Sequence, residues 1–142
     1  MNKKYIFIII LNLFLMDCNS SESSQRKFTP EKEIKKKKAL LYIYRPSLFM
    51  GSAISYTIED SYEKIYLNLR NGTYKAFFLD PGEISLSAET IGSASITIDI
   101  EEEQIYYLKG NVLAGPVIAK PFLTLVPTEV GQKEIMNCRP IE

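Results

Sequence analysis

From Ala39 onward, apolar residues recur at every second position, and that period fits strands rather than helices. Lys64-Ile65-Tyr66-Leu67-Asn68-Leu69 places Ile65, Leu67 and Leu69 on one face. Glu83-Ile84-Ser85-Leu86-Ser87-Ala88 repeats the pattern. Over residues 94–100, Ile96, Ile98 and Ile100 point one way while Thr97 and Asp99 point the other. Residues 40–45, 54–59, 73–79, 104–111 and 121–126 are further strand expectations. Asn71-Gly72 suits a type I′ hairpin, because both residues tolerate positive φ. Asp80-Pro81-Gly82-Glu83 suits a type II turn, with Pro second and Gly third. Together these turns predict residues 64–90 as a three-stranded antiparallel meander. Short strands at this spacing predict an all-β fold, an antiparallel β-sandwich of about 7–8 strands. A single sheet would leave one of its apolar faces wet.

The period changes after Pro127. Thr128 is expected as an N-cap, with Glu129 in the first turn. Gly131, Ile135 and Cys138 follow at i, i+4 and i+7, which predicts one short amphipathic C-terminal helix closed by Pro140. Cys138 on its inner face reads as a small buried hydrophobe.

Composition removes most familiar chemistries. The 142 residues contain no His, so neither Ser-His nor Cys-His catalysis nor a histidine metal ligand is available. Two Cys cannot form a thiolate zinc cage. Lys plus Arg number 17 against 17 Asp plus Glu, a balance that gives no general attraction for nucleic acid. The balance is an average over unlike segments. Residues 18–38 carry seven basic and three acidic side chains, and residues 39–142 carry eight and thirteen.

Asn2-Lys3-Lys4 opens the chain, followed by an apolar run from Tyr5 to Met16 interrupted by Asn12. That run is too short for the roughly 20 residues a spanning helix needs, and it has the form of a signal peptide. It ends at Leu15-Met16-Asp17-Cys18 and passes at once into Asn19-Ser20-Ser21-Glu22-Ser23-Ser24. This resembles a bacterial lipoprotein signal, with Asp17 standing where the pattern has a small residue. The resemblance implies a signal peptide over 1–17 and a lipidated Cys18. Cys138 then has no intramolecular partner. Residues 18–38 read as a disordered basic linker, too polar to offset chain entropy. Residues 39–142 read as the folded domain. The run Lys35-Lys36-Lys37-Lys38 either keeps the first strand soluble or reaches anionic head groups.

Further segments resemble a family of small bacterial lipoproteins built on a mostly-β domain of unknown function. They are Tyr42-Ile43-Tyr44-Arg45-Pro46, Gly51-Ser52-Ala53, Asn71-Gly72-Thr73-Tyr74, Pro81-Gly82, Tyr106-Tyr107 and Lys133-Glu134-Ile135-Met136-Asn137-Cys138. The likeness covers most of residues 39–139. It implies a compact β domain on a lipid anchor and brings no catalytic residues with it.

Among local motifs, Ser61-Tyr62-Glu63-Lys64 has the Ser-x-x-Lys spacing of penicillin-recognising enzymes but lies at a loop-to-strand junction without a Lys-Thr-Gly strand. Asp99, Glu101 and Glu103 alternate as a possible oxygen-only cation site, although a row of acids on one strand is more readily a solvated edge. Two apolar loops stand out. Residues 46–51 (Pro-Ser-Leu-Phe-Met-Gly) join the first two strands, and residues 112–119 join the last two. If exposed, Leu48, Phe49, Met50, Leu113, Val117 and Ile118 would form one patch for a partner, with Tyr44, Arg45 and Lys120 as its polar rim.

The expectation is therefore a non-enzymatic envelope lipoprotein, lipid-anchored with the outer membrane favoured over the inner. It would bind an envelope protein or polymer and need no cofactor. The alternatives are a cell-wall hydrolase using carboxylates alone and a surface protein contacting host or neighbouring cells.

Overall fold

The computed structural model describes residues 27–31, 33–62, 65–115 and 119–141. The expected signal peptide, Cys18 and the first part of the expected linker lie outside the described residues. So do Val117 and Ile118.

The chain runs β1 (Ala39–Arg45), β2 (Tyr56–Asp60), β3 (Tyr66–Leu69), β4 (Thr73–Leu79), β5 (Gly82–Glu89), β6 (Ser93–Ile100), β7 (Ile105–Ala114) and β8 (Ala119–Val126). Helix α1 (Thr128–Ile135) and the two-residue β9 (Arg139–Pro140) follow. The fold is all-β, as expected, and each expected strand is present with ends shifted by a few residues. One sheet has the order β8-β7-β1-β4-β9 and the other β3-β2-β5-β6. The smaller sheet is antiparallel throughout. The larger departs from the antiparallel expectation in two parallel pairs, β1 with β7 and β4 with β9.

The meander expected over residues 64–90 does not form. β3 and β5 belong to one sheet and β4 to the other, so Asn71-Gly72 and Pro81-Gly82 turn corners between sheets. Gly72 has a φ of 67° while Asn71 does not enter the positive region, which excludes a type I′ turn. Gly82 has a φ of 131° and opens β5 directly. The physical reason lies in β1, which is buried on both faces along its whole length. A strand so sealed cannot leave its backbone N–H and C=O groups to water and needs a partner at each edge, and β4, apolar on both faces at Ala76, Phe77 and Phe78, pairs with it over seven residues.

Apolar side chains of both sheets form one cluster. It includes Leu41 and Ile43 of β1, Ile58 of β2, Leu69 of β3, Leu86 of β5 and Leu108 of β7. A second cluster lies on the opposite face of β1, where Leu40, Tyr42 and Tyr44 meet Tyr74, Tyr107, Ile135 and Cys138. Helix α1 covers part of it. Gly131 is required there, because a Cβ would overlap the Tyr107 side chain. As the spacing predicted, Gly131, Ile135 and Cys138 are the buried stripe. The cap differs: Pro127 holds the N-cap position with no side-chain bond, and its carbonyl accepts from the amides of Val130 and Gly131. Thr128 is the first helical residue. Pro140 does not close the helix either, since the chain has left it by Met136 and Arg139–Pro140 pair with Thr73 and Tyr74.

The described part of the segment read as linker lies along this second cluster. Phe28 makes edge contacts with Tyr42 and Tyr74 at ring separations of 5.3 and 5.0 Å. The Glu31 amide donates to Tyr42 Oη at 2.9 Å. Lys35 sits 4.6 Å over the Phe78 ring, and Lys38 pairs with Asp80 at 2.6 Å.

Candidate functional site

Strand β1 carries one charged side chain in its apolar run, Arg45, and it is fully buried at the strand's end. A guanidinium out of water must spend its donors on nearby acceptors. Here Nη1 donates to Ile54 O at 2.6 Å and Nη2 to Gly51 O at 2.7 Å. Its Nε has no hydrogen-bond partner among the described residues. The guanidinium carbon also lies 5.6 Å from the centre of the Tyr56 ring, a geometry that favours the cation. Burial lowers the Arg45 pKa from its ordinary value, and the Tyr56 ring opposes part of that shift. Burial likewise pushes the Tyr56 phenol up to about 12, with the Arg45 charge working against it. That hydroxyl donates to Asn111 O at 3.1 Å.

These bonds fix the β1–β2 loop from beneath. Gly51, at a φ of 74°, bends the loop so that its backbone meets β7. A Cβ at Gly51 would lie 2.7 Å from Val112 Cγ1 and 3.3 Å from Ala114 Cβ. The Leu48 amide is held from the other side by Asn71 Oδ1 at 3.0 Å. The tip points outward: Phe49 is 99% exposed and Met50 68%. Leu48 and Leu113 are also exposed. The β5–β6 turn reaches the same end, because the Gly92 amide donates to Ala119 O and Thr90 Oγ1 to the same carbonyl. That turn adds Ile91, 78% exposed.

The structure thus brings Leu48, Phe49 and Met50 to the end of β7 that carries Leu113, and Lys120 lies opposite Leu113 on β8. Arg45 and Tyr44 do not form a rim, since both are sealed inside. Arg45 instead shapes the loop from below. Tyr44 faces the other cluster and donates to Glu134 Oε2 at 2.6 Å, while Lys109 Nζ reaches Glu134 Oε1 at 2.7 Å. Burial, then the Glu134 contact, pushes the Tyr44 phenol far up. Burial alone would raise the Glu134 carboxyl, but the bonds from Lys109 and Tyr44 outweigh it and hold the pKa below its ordinary value. The Cys138 thiol is pushed up to about 11 by burial and by Glu134.

The acidic row lies elsewhere. Asp99 is exposed on β6 opposite Glu83, and Glu101 and Glu103 are exposed in the β6–β7 connection. Glu103 sits at a φ of 60° while its amide donates to Lys38 O. Among the described residues, no three His, Cys, Asp or Glu side chains gather to hold a metal ion. Of the Ser-x-x-Lys motif, Ser61 lies in the β2–β3 turn and Lys64 falls outside the described residues.

Sequence reasoning missed two features. Arg45 as a clamp was signalled by a lone cation ending an apolar strand. Ile91 carried no signal, because only the β2–β5 and β7–β8 pairings bring its turn to this end. No family model matches the chain, and no curated protein matches it.

Proposed function

We propose that this chain is a bacterial envelope lipoprotein, a β-sandwich tethered through Cys18 that works by binding a protein or envelope polymer rather than by catalysis. The sandwich arrangement is supported by the apolar cluster that draws on both sheets. The family of small lipoproteins with a mostly-β domain of unknown function remains the suggested relationship. The observation that carries the binding reading is the β1–β2 loop, whose buried clamp at Arg45 fixes an exposed apolar tip in one place. Fixing the tip in advance lowers the ordering cost of binding. A carboxylate-only hydrolase would need two acids facing each other across a cleft. The acids of β6 and its connection instead lie exposed along an edge.

Two measurements test this reading. A fatty-acid analogue should label the wild type and fail to label Cys18→Ala; equal labelling would remove the anchor. In-cell photocrosslinking from position 49 should return a reproducible envelope protein or polymer, with position 102 at the acidic end as the control. Silence from position 49 would count against a binding role.

A further inference from the structure

We propose that the apolar end of the domain docks onto the bilayer that holds the anchor, with Phe49 and Met50 entering the interface. The inference rests on the lipidated Cys18 of the function proposed above, and gives the loop tip the bilayer as its occupant in place of a protein or polymer.

The route of the chain carries it. The Thr29 amide contacts Tyr74 Oη, the Glu31 amide contacts Tyr42 Oη, Lys35 covers Phe78, and Lys38 pairs with Asp80. Tyr74 and Phe78 lie toward opposite ends of β4, Tyr42 of β1 pairs with Ala76 between them, and Asp80 follows the far end of β4. The segment therefore passes along the sheet from the loop end to the acidic end, and β1 then brings the chain back. Lys27 lines a groove at the loop end with Ser47, Asn71, Gly72 and Arg139. Everything before Lys27 is attached at that end.

Cys18 precedes Lys27 by nine residues, which span at most about 30 Å when fully extended. A lipid at Cys18 thus keeps the loop end close to the bilayer. So short a leash gives the tip a high effective concentration at the surface, where even weak insertion is populated. The exposed side chains suit that position: Phe49, Met50, Leu48, Ile91 and Leu113 are large and apolar.

Charge agrees with the same orientation. Lys27, Lys120 and Arg139 are exposed at the loop end, with Glu89 as a countercharge. Asp80, Glu83, Asp99, Glu101, Glu102 and Glu103 lie at the far end, where Lys35, Lys36, Lys37 and Lys38 offset part of their charge. Anionic headgroups attract the first group and favour the loop end by the difference that is left.

The test exploits the absence of Trp from the sequence. The full lipidated chain carrying Phe49→Trp is reconstituted into anionic vesicles containing lipids brominated along the acyl chains. Glu102→Trp at the acidic end serves as the control. The tryptophan at position 49 should be blue-shifted and quenched, from a depth of about 5–10 Å at the headgroup–acyl boundary, while the one at position 102 stays in water. Labelled Cys18 with position 49 as unquenched as position 102 would overturn the docking and leave the anchor intact. No fatty-acid label at Cys18 would overturn the anchor and the docking with it. Reproducible capture of one protein from position 49 in cells, with no lipid quenching, would overturn the docking while supporting a protein partner.

Discussion

At the loop end, Arg45 is sealed from water and donates to two backbone carbonyls. At the acidic end, Lys38 and Asp80 also meet at 2.6 Å, but their side chains remain 35% and 66% exposed. Between them lies the pair of Lys109 and Glu134, 27% and 29% exposed. The bonds have nearly the same length, so length cannot rank them. Dielectric surroundings do, because water screens the exposed pair and leaves the buried cation dependent on the acceptors it has. The difference shows how one end can hold an apolar loop rigid while the other only keeps charge in solution.

Substitutions graded by burial would break or sharpen this contrast. Arg45→Met leaves Gly51 O and Ile54 O without their donors and should cost about 2–4 kcal/mol in chemical denaturation. The same variant should become sensitive to limited proteolysis near Phe49-Met50. A loss below that of any surface substitution would refute the clamp.

Glu134→Gln should cost about 1 kcal/mol at neutral pH, because the pair is partly screened. It also carries a pH signature. The folded-state pKa of Glu134 is depressed, so its stabilisation is complete above the ordinary carboxyl value of 4.5 and is lost as pH falls through the lowered folded value. Melting temperature in the wild type should fall more steeply in that acid range than in Glu134→Gln. Parallel profiles would show that the carboxylate is not coupled to folding.

Lys38→Met should change stability by under about 0.5 kcal/mol, with little dependence on salt beyond that. A larger loss would mean that the acidic end is more tightly built than its exposure indicates. Phe49→Ser should be nearest to neutral, within roughly 0.5 kcal/mol in thermal unfolding, since its side chain touches almost nothing in the folded domain. Any larger destabilisation would show that the tip packs on the domain instead of facing outward.

Much of this was legible in the sequence for a local reason. Alternation in residues 83–88 and 94–100 depends only on which face of a strand is wet, and both segments are strands paired in the expected antiparallel sense. The stripe of Gly131, Ile135 and Cys138 depends only on helical spacing. The corner at Asn71-Gly72 was misread because a turn signal states that the chain reverses, not which sheet receives it. Arg45 was misplaced to a surface rim because charge suggests water, and only the carbonyls of the following loop show that a guanidinium can be satisfied inside.

Read alone, the sequence specifies an all-β chain with a short terminal helix, without His, and with an apolar loop after the first strand. Each of these follows from residue type and from periods of two or 3.6 along the chain. It took the three-dimensional pairing to join β4 to β1, to add β9 to that sheet, and to carry the turn holding Ile91 to the start of β8. Those outcomes depend on contacts between residues far apart in the chain, where burial of both faces of β1 selects the partner and local preference has no vote.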